Sequence, residues 1–257
     1  MLNFKIASLC FVIECITIGL LYYFIGISLW WFLLPIFSFK ALIIYGSATI
    51  QSNFYTKAHC NAVTDEKLIA LTFDDGPNAV YTPKILSILE EFNVPATFFV
   101  IGKNILGNES IIKKIDAAGH TIGNHTFSHS FFIDFKSKAG FIDELNTTSD
   151  AIYNIIRKRV KFFRPPYGVT TPNLARASKA LNYEIIGWNI RSLDTTKDSE
   201  EIIAQRVISQ VKPGAIILFH DTSEKTTQVL KQTLNFAKEN GFKIVSVEEL
   251  LKLKGYG

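Results

Sequence analysis

The stretch Thr72-Phe73-Asp74-Asp75-Gly76-Pro77 sets two carboxylates side by side at an abrupt stop. Adjacent aspartates repel each other, and Gly-Pro ends whatever element carries them. Further on, "NHTFSH" places His125 and His129 four residues apart. On one helical turn side chains at that spacing share a face, so both imidazoles are expected to point the same way. Two imidazoles and one carboxylate, with an open position for water, make a common catalytic site for zinc or a similar divalent metal. Asp74 or Asp75 can supply the carboxylate. Successive strand residues point to opposite sides, but the Gly76-Pro77 turn can splay the pair. One aspartate then binds the metal, and its neighbour stays free to take a proton from water. A cation between the two charges also relieves their repulsion. Each signal is weak alone: a His-x-x-x-His pair is commonly surface polarity, and His120 reads as a structural residue at a strand edge. Their order along the chain, with "RPPYG" (164–168) and "ILFHD" (217–221) downstream, carries the weight.

These clusters must be positioned by the elements before them, and "DDGP", "HTFSH", "RPPYG", "SLD" and "HD" each follow an apolar run. "LIALTF" (68–73), "ATFFVIG" (96–102), "HTIGN" (120–124), "VKFFRPP" (160–166), "YEIIGWN" (183–189), "AIILFH" (215–220) and "FKIVSV" (242–247) read as seven short buried strands. Amphipathic segments alternate with them over 82–93, 109–119, 138–158, 171–182, 199–211 and 226–241. Thr82-Pro83 and Thr171-Pro172 look like helix starts, with threonine as N-cap and proline first in the helix. Such alternation predicts an α/β fold with parallel strands and right-handed crossovers. No Gly-x-Gly-x-x-Gly turn follows a strand, so a dinucleotide fold has no support. Polar clusters at strand ends converge on the mouth of a barrel. The expected architecture is a distorted (β/α) barrel of about seven parallel strands.

Hydrophobic residues make up 48% of the 257 residues, and the mean hydropathy is +0.20. The excess lies at the front: between Phe4 and Ile50 the only Asp, Glu, Lys or Arg residues are Lys5, Glu14 and Lys40. That run exceeds a signal peptide's apolar region. It has room for two spans of about 20 residues, over 4–23 and 29–48, with Tyr22, Tyr23, Trp30 and Trp31 at the break, where aromatics favour the interface. The expected division is a membrane anchor over 1–50, a polar connector over 51–65 and a catalytic domain over 66–257. A net charge of +4 without a concentrated basic run gives no reason to expect nucleic acid. Of three cysteines only Cys60 lies beyond the first span, so no disulfide framework is expected in the soluble part.

"TFDDGP", "HTFSHS", "RPPYG" and "ILFHD", in this order, resemble the polysaccharide deacetylases of the NodB-homology type (carbohydrate esterase family 4), over about residues 66–252. The resemblance implies a distorted (β/α) barrel and metal-dependent removal of N- or O-acetyl groups from sugars, commonly N-acetylglucosamine. It implies Asp74 as general base, with Asp75, His125 and His129 as ligands of one divalent ion, zinc first and cobalt or another as substitutes. Arg164 would hold Asp74, and His220 would be the general acid, supported by Asp194. Pro166, Tyr167 and Leu218 would bind substrate, a backbone N–H near Tyr167 serving the oxyanion and Leu218 lining the acetyl pocket. The family's fourth motif, Asp-x-x-Asp-Trp, here reads "RSLDT": Arg191 replaces the first aspartate and Thr195 the tryptophan that walls the acetyl site. The expected partner is an acetylated envelope glycan, with the domain outside the cytoplasmic membrane. The alternatives are an inactive sugar-binding or scaffolding membrane protein and a hydrolase of another non-peptide C–N bond.

Overall fold

The computed structural model describes residues 2–257. In chain order its elements are α1 (Phe4–Ile25), α2 (Leu33–Ala48), β1 (Ala58–His59), β2 (Leu68–Asp74), α3 (Tyr81–Glu91), β3 (Thr97–Val100), α4 (Gly102–Ile105), α5 (Glu109–Ala117) and β4 (Thr121–Asn124). There follow α6 (Lys138–Ile156), β5 (Phe162–Phe163), α7 (Pro172–Ala180), β6 (Glu184–Ile186), β7 (Ile190–Arg191), α8 (Glu200–Ile208), β8 (Ala215–His220), α9 (Glu224–Glu239), β9 (Lys243–Ile244) and α10 (Val247–Leu251).

Every strand pairing is parallel, in the order β1-β6-β5-β4-β3-β2-β8-β7, with β9 against β2. The longer strands β2, β3 and β8 are largely apolar because both faces are covered. Alternate residues point to opposite sides: Leu71, Phe73, Ile217 and Phe219 pack outward against the helices. Ala70, Phe99, Phe162, Ile186, Ile216 and Leu218 fill the interior. The run expected as one strand over 183–189 contains β6 alone, and β7 begins just beyond it at Ile190. β6 pairs with β5 and β7 pairs with β8, so this one bent segment runs from one side of the strand order to the other. The bend lies at Gly187, where a Cβ would stand 2.5 Å from Cys60 Sγ, and at Trp188, which turns into the interior.

Nine strands replace the seven expected. β7 lies just beyond the run over 183–189, and β1 lies in the stretch read as a polar connector, beside β6. Two-residue strands leave no apolar run to recognise. The start of α3 also differs. Asn78 Oδ1 accepts from the N–H groups of Val80 and Tyr81, so Thr82 is not the cap. Thr82 Oγ1 instead accepts from Asn78 N and donates to Asp221. Thr171 does cap α7, accepting from Leu174 N at 3.2 Å, with Pro172 first in the helix.

Phe4–Ile25 and Leu29–Ala48 are both long and apolar enough to cross a membrane. They lie side by side, with Phe11 and Phe39 stacked at 4.7 Å. The hairpin is joined to the barrel by hydrogen bonds from Phe4 N to Phe54 O and from Thr170 N to Ser47 O.

Candidate active site

Sheet register assembles the site. Asp74, the last residue of β2, lies beside His220, the last of β8. On the other side β3 carries the register to β4, where Asn124 pairs with Phe163 of β5. The residues after those two, His125 and Arg164, therefore emerge together at the same end of the barrel. Here the backbone leaves its usual regions: Asp75, Thr126, His129, Tyr167 and Leu193 all have positive φ. Such outliers concentrate at functional loops because packing over-determines them.

Asp75 Oδ1 lies 3.5 Å from His125 Nε2 and 3.3 Å from His129 Nε2. His125 and His129 do not share a helical turn, as their spacing suggests. They lie in a loop after β4, where Thr126 and His129 at φ 65° and 44° bring the two rings to 4.9 Å. Asp75 Oδ1 is buried without a hydrogen-bond partner. Burial opposes the Asp75 charge, but the imidazoles around it, His125 foremost and then His220 and His129, outweigh it and hold the carboxyl at about 2. Burial, reinforced by His125, lowers the pKa of His129 and favours its neutral form. His125 Nδ1 lies 2.7 Å from the Arg164 carbonyl. A carbonyl only accepts, so Nδ1 carries the proton and leaves the Nε2 lone pair facing Asp75. Metal-binding histidines commonly carry this second bond. One ionised carboxylate and two imidazole nitrogens, all within 4.8 Å of one another, fit a divalent cation with a position left for water.

Arg164 is wholly buried. Its guanidinium donates to Asp74 Oδ1, Thr72 Oγ1 and Gly187 O, each at 2.8 Å, and to Ile186 O at 3.0 Å. The Phe99 and Trp188 rings pack against it. Asp74 is thus gripped by one oxygen, while Oδ2 lies 3.8 Å from His125 Nε2. Opposite, Asp194 Oδ1 is 2.7 Å from His220 Nδ1, and its Oδ2 accepts from His220 N and Thr226 Oγ1. Burial works against a charge on His220, but the bond and charge of Asp194, with Asp74 and Asp75 behind, push its pKa up to about 9. Burial likewise opposes the Asp194 charge, and His220 overrides it to keep that carboxyl below its usual range.

Leu218 lies in the interior under the mouth, with Trp188 in the same cluster. Pro166 is buried and Tyr167 exposed. The Tyr167 ring meets His129 edge-on at 4.7 Å, and its backbone sits at φ 58°. Gly168 follows at φ 72°, where a Cβ would stand 2.5 Å from the Trp188 ring. Thr72, Thr226 and the Thr82–Asp221 pair were not foreseen as part of the site. Gly76 leaves room for Asp221, since a Cβ there would lie 2.2 Å from Asp221 Oδ2. Burial raises the pKa of Asp221 to about 7. Hydroxyls at ordinary strand and helix positions carry no sequence signal; the adjacency of Asp221 to His220 was the one available hint.

A gripped carboxylate facing a charged imidazole across a carboxylate–histidine cluster is the equipment of a hydrolase, and the comparisons define which. A family model described as polysaccharide deacetylase matches residues 61–186. The peptidoglycan-N-acetylmuramic acid deacetylase PdaA of Bacillus subtilis is 32% identical over 192 residues, 73% of each chain. A peptidoglycan-N-acetylglucosamine deacetylase of Bacillus cereus is 32% identical over 205 residues, 74% of this chain and 91% of that one. A solved peptidoglycan N-acetylglucosamine deacetylase superposes with a TM-score of 0.73 at 30% identity, over 76% of this chain and 93% of its own. The chain belongs to the polysaccharide deacetylase family, hydrolases of carbon–nitrogen bonds outside peptides.

Proposed function

We propose that the protein is a membrane-anchored, metal-dependent deacetylase that removes N-acetyl groups from a cell-envelope polysaccharide containing N-acetylated hexosamine, its domain facing outward from the cytoplasmic membrane. The observation that carries this reading is the division of labour between adjacent aspartates: Asp75 faces two imidazoles, and Asp74 is held by Arg164. The peptidoglycan deacetylases among its relatives support an envelope glycan as substrate, and the two apolar helices support the anchor.

Asp75, His125 and His129 would hold the ion, with zinc the first candidate for such ligands. A divalent cation there would supply Lewis-acid polarisation of the acyl carbonyl and acidify the attacking water. Asp74, fixed at Oδ1, takes the water's proton at Oδ2. The backbone N–H at Tyr167, turned by its left-handed conformation, donates to the developing oxyanion. His220, kept protonated by Asp194, gives its proton to the leaving amine. Arg164 and Trp188 wall the base from bulk water, and Leu218 accommodates the acetyl methyl.

The test is acetate release by the full chain in detergent from acetylated glycans, with chelator and after adding back zinc or cobalt. Release that stops with chelator and returns with metal is the expected outcome. Release unaffected by chelator would refute metal dependence, and no release from any glycan would refute the deacetylase reading.

A further inference from the structure

Arg191 ends β7 and lies beside Leu218 of β8 in the register. Its neighbour Ile190 packs outward against the helices, so Arg191 points inward, on the side of Leu218. Its guanidinium lies 5.7 Å from the centre of the Trp188 ring, the ring that packs against Arg164. Arg191 is exposed. Among the described residues no carboxylate lies within ion-pair distance of it. The acids at this end of the barrel have other partners: Asp74 has Arg164, Asp75 the two imidazoles, and Asp194 has His220. An exposed, unpaired cation within reach of the Trp188 ring therefore stands at the rim beside Leu218.

We infer that Arg191 selects glycans whose acetylated sugar also bears a carboxylate, as N-acetylmuramic acid does on its lactyl ether. This deepens the deacetylase reading and rests on it. The family pattern places an aspartate at this position, which would repel such a group; arginine reverses the sign. Thr195, exposed, stands where that pattern has a tryptophan wall, and the smaller side chain leaves room for a substituent beside the acetamide. Arginine's planar fork suits a carboxylate or a phosphate. A carboxylate is favoured because a muramic acid deacetylase is among the chain's relatives.

The experiment compares wild type, Arg191→Gln and Arg191→Lys, all in metal-loaded full chain, on four glycans: neutral chito-oligosaccharide, peptide-free strands containing N-acetylmuramic acid, the same strands with the lactyl carboxylate methyl-esterified, and phosphorylated chito-oligosaccharide. Arg191→Gln lowers kcat/KM on the acidic strands about tenfold, mostly through KM, the low end for a charge-assisted hydrogen bond. It leaves the neutral and esterified glycans within about twofold, and lysine restores part of the loss. Esterification costs wild type the same factor, and the two losses do not add, because they remove one interaction. The inference is overturned if Arg191→Gln slows all glycans equally, as a support for Trp188 alone would do, or if wild type treats acid and ester alike. Arg191 dependence confined to the phosphorylated sugar overturns the carboxylate. Acetate from none of the four overturns the deacetylase reading, and this inference with it.

Discussion

Replacing Asp194 with asparagine removes the charge beside His220 while keeping size and an acceptor oxygen. In the wild type His220 is largely buried, which alone pushes its pKa below 6.5, yet Asp194 at 2.7 Å lifts it to about 9. The rise from 6.5 to about 9 corresponds to about 3 kcal/mol in favour of the imidazolium. Without the Asp194 charge, burial is opposed chiefly by Asp74 and Asp75, and the pKa falls. The basic limb of the pH–kcat/KM profile, which reports the acid of the free enzyme, therefore moves from near 9 to lower pH. Metal content stays normal, because Asp194 is outside the carboxylate–histidine cluster. Stability supplies a second readout. A raised histidine pKa contributes fully below 6.5 and is lost as pH rises through about 9. The Tm gap between wild type and variant should thus be wide near pH 6.5 and narrow through about 9. Capping of α8 does not compete as an explanation, since Ser199 performs it. A basic limb that stays in place with normal metal content would refute the reasoning.

Three further outcomes follow from the same geometry. His125→Ala removes one of two imidazoles, so elemental analysis should find the metal lost along with nearly all turnover, and stoichiometric metal in that variant would refute the ligand set. Asp74→Asn should keep its metal and lose about 10²–10⁴-fold in kcat, the range for a general base, whereas Asp75→Asn should weaken metal binding itself; swapped results would reverse the two roles. Arg164→Met leaves Asp74 and two backbone carbonyls unpaired in the interior, so denaturant unfolding should show a loss of about 3–5 kcal/mol, and an unchanged midpoint would contradict that account.

Much of this molecule was legible because the deciding interactions are local in sequence. Each of the seven apolar runs predicted as strands contains one strand, since a run covered on both faces has nothing to alternate against. In the run over 183–189 that strand, β6, stops at Ile186, because a close approach at Gly187 breaks it, and β7 begins only at Ile190. That approach involves Cys60, in a stretch whose polar composition hid β1, and no local pattern reports a contact so distant. The two histidines show the same limit from the other side. Their spacing singled them out, yet the helical reason for it was wrong: positive φ at Thr126 and His129 joins the rings, stabilised by contacts such as Thr126 N to Asn124 Oδ1 and His129 N to Thr126 Oγ1. Spacing named residues that could meet, and only the barrel's register decides that they do. Arg164 makes the point most sharply. The family resemblance paired it with Asp74, but no local pattern marks it as buried; in the fold β5 ends one residue before it, beneath Phe99 and Trp188, and its buried charge is tolerable only because Asp74 arrives from β2 to meet it. Each of these two charges needs the other to be buried at all, so placing the base and folding the barrel's interior are one physical requirement.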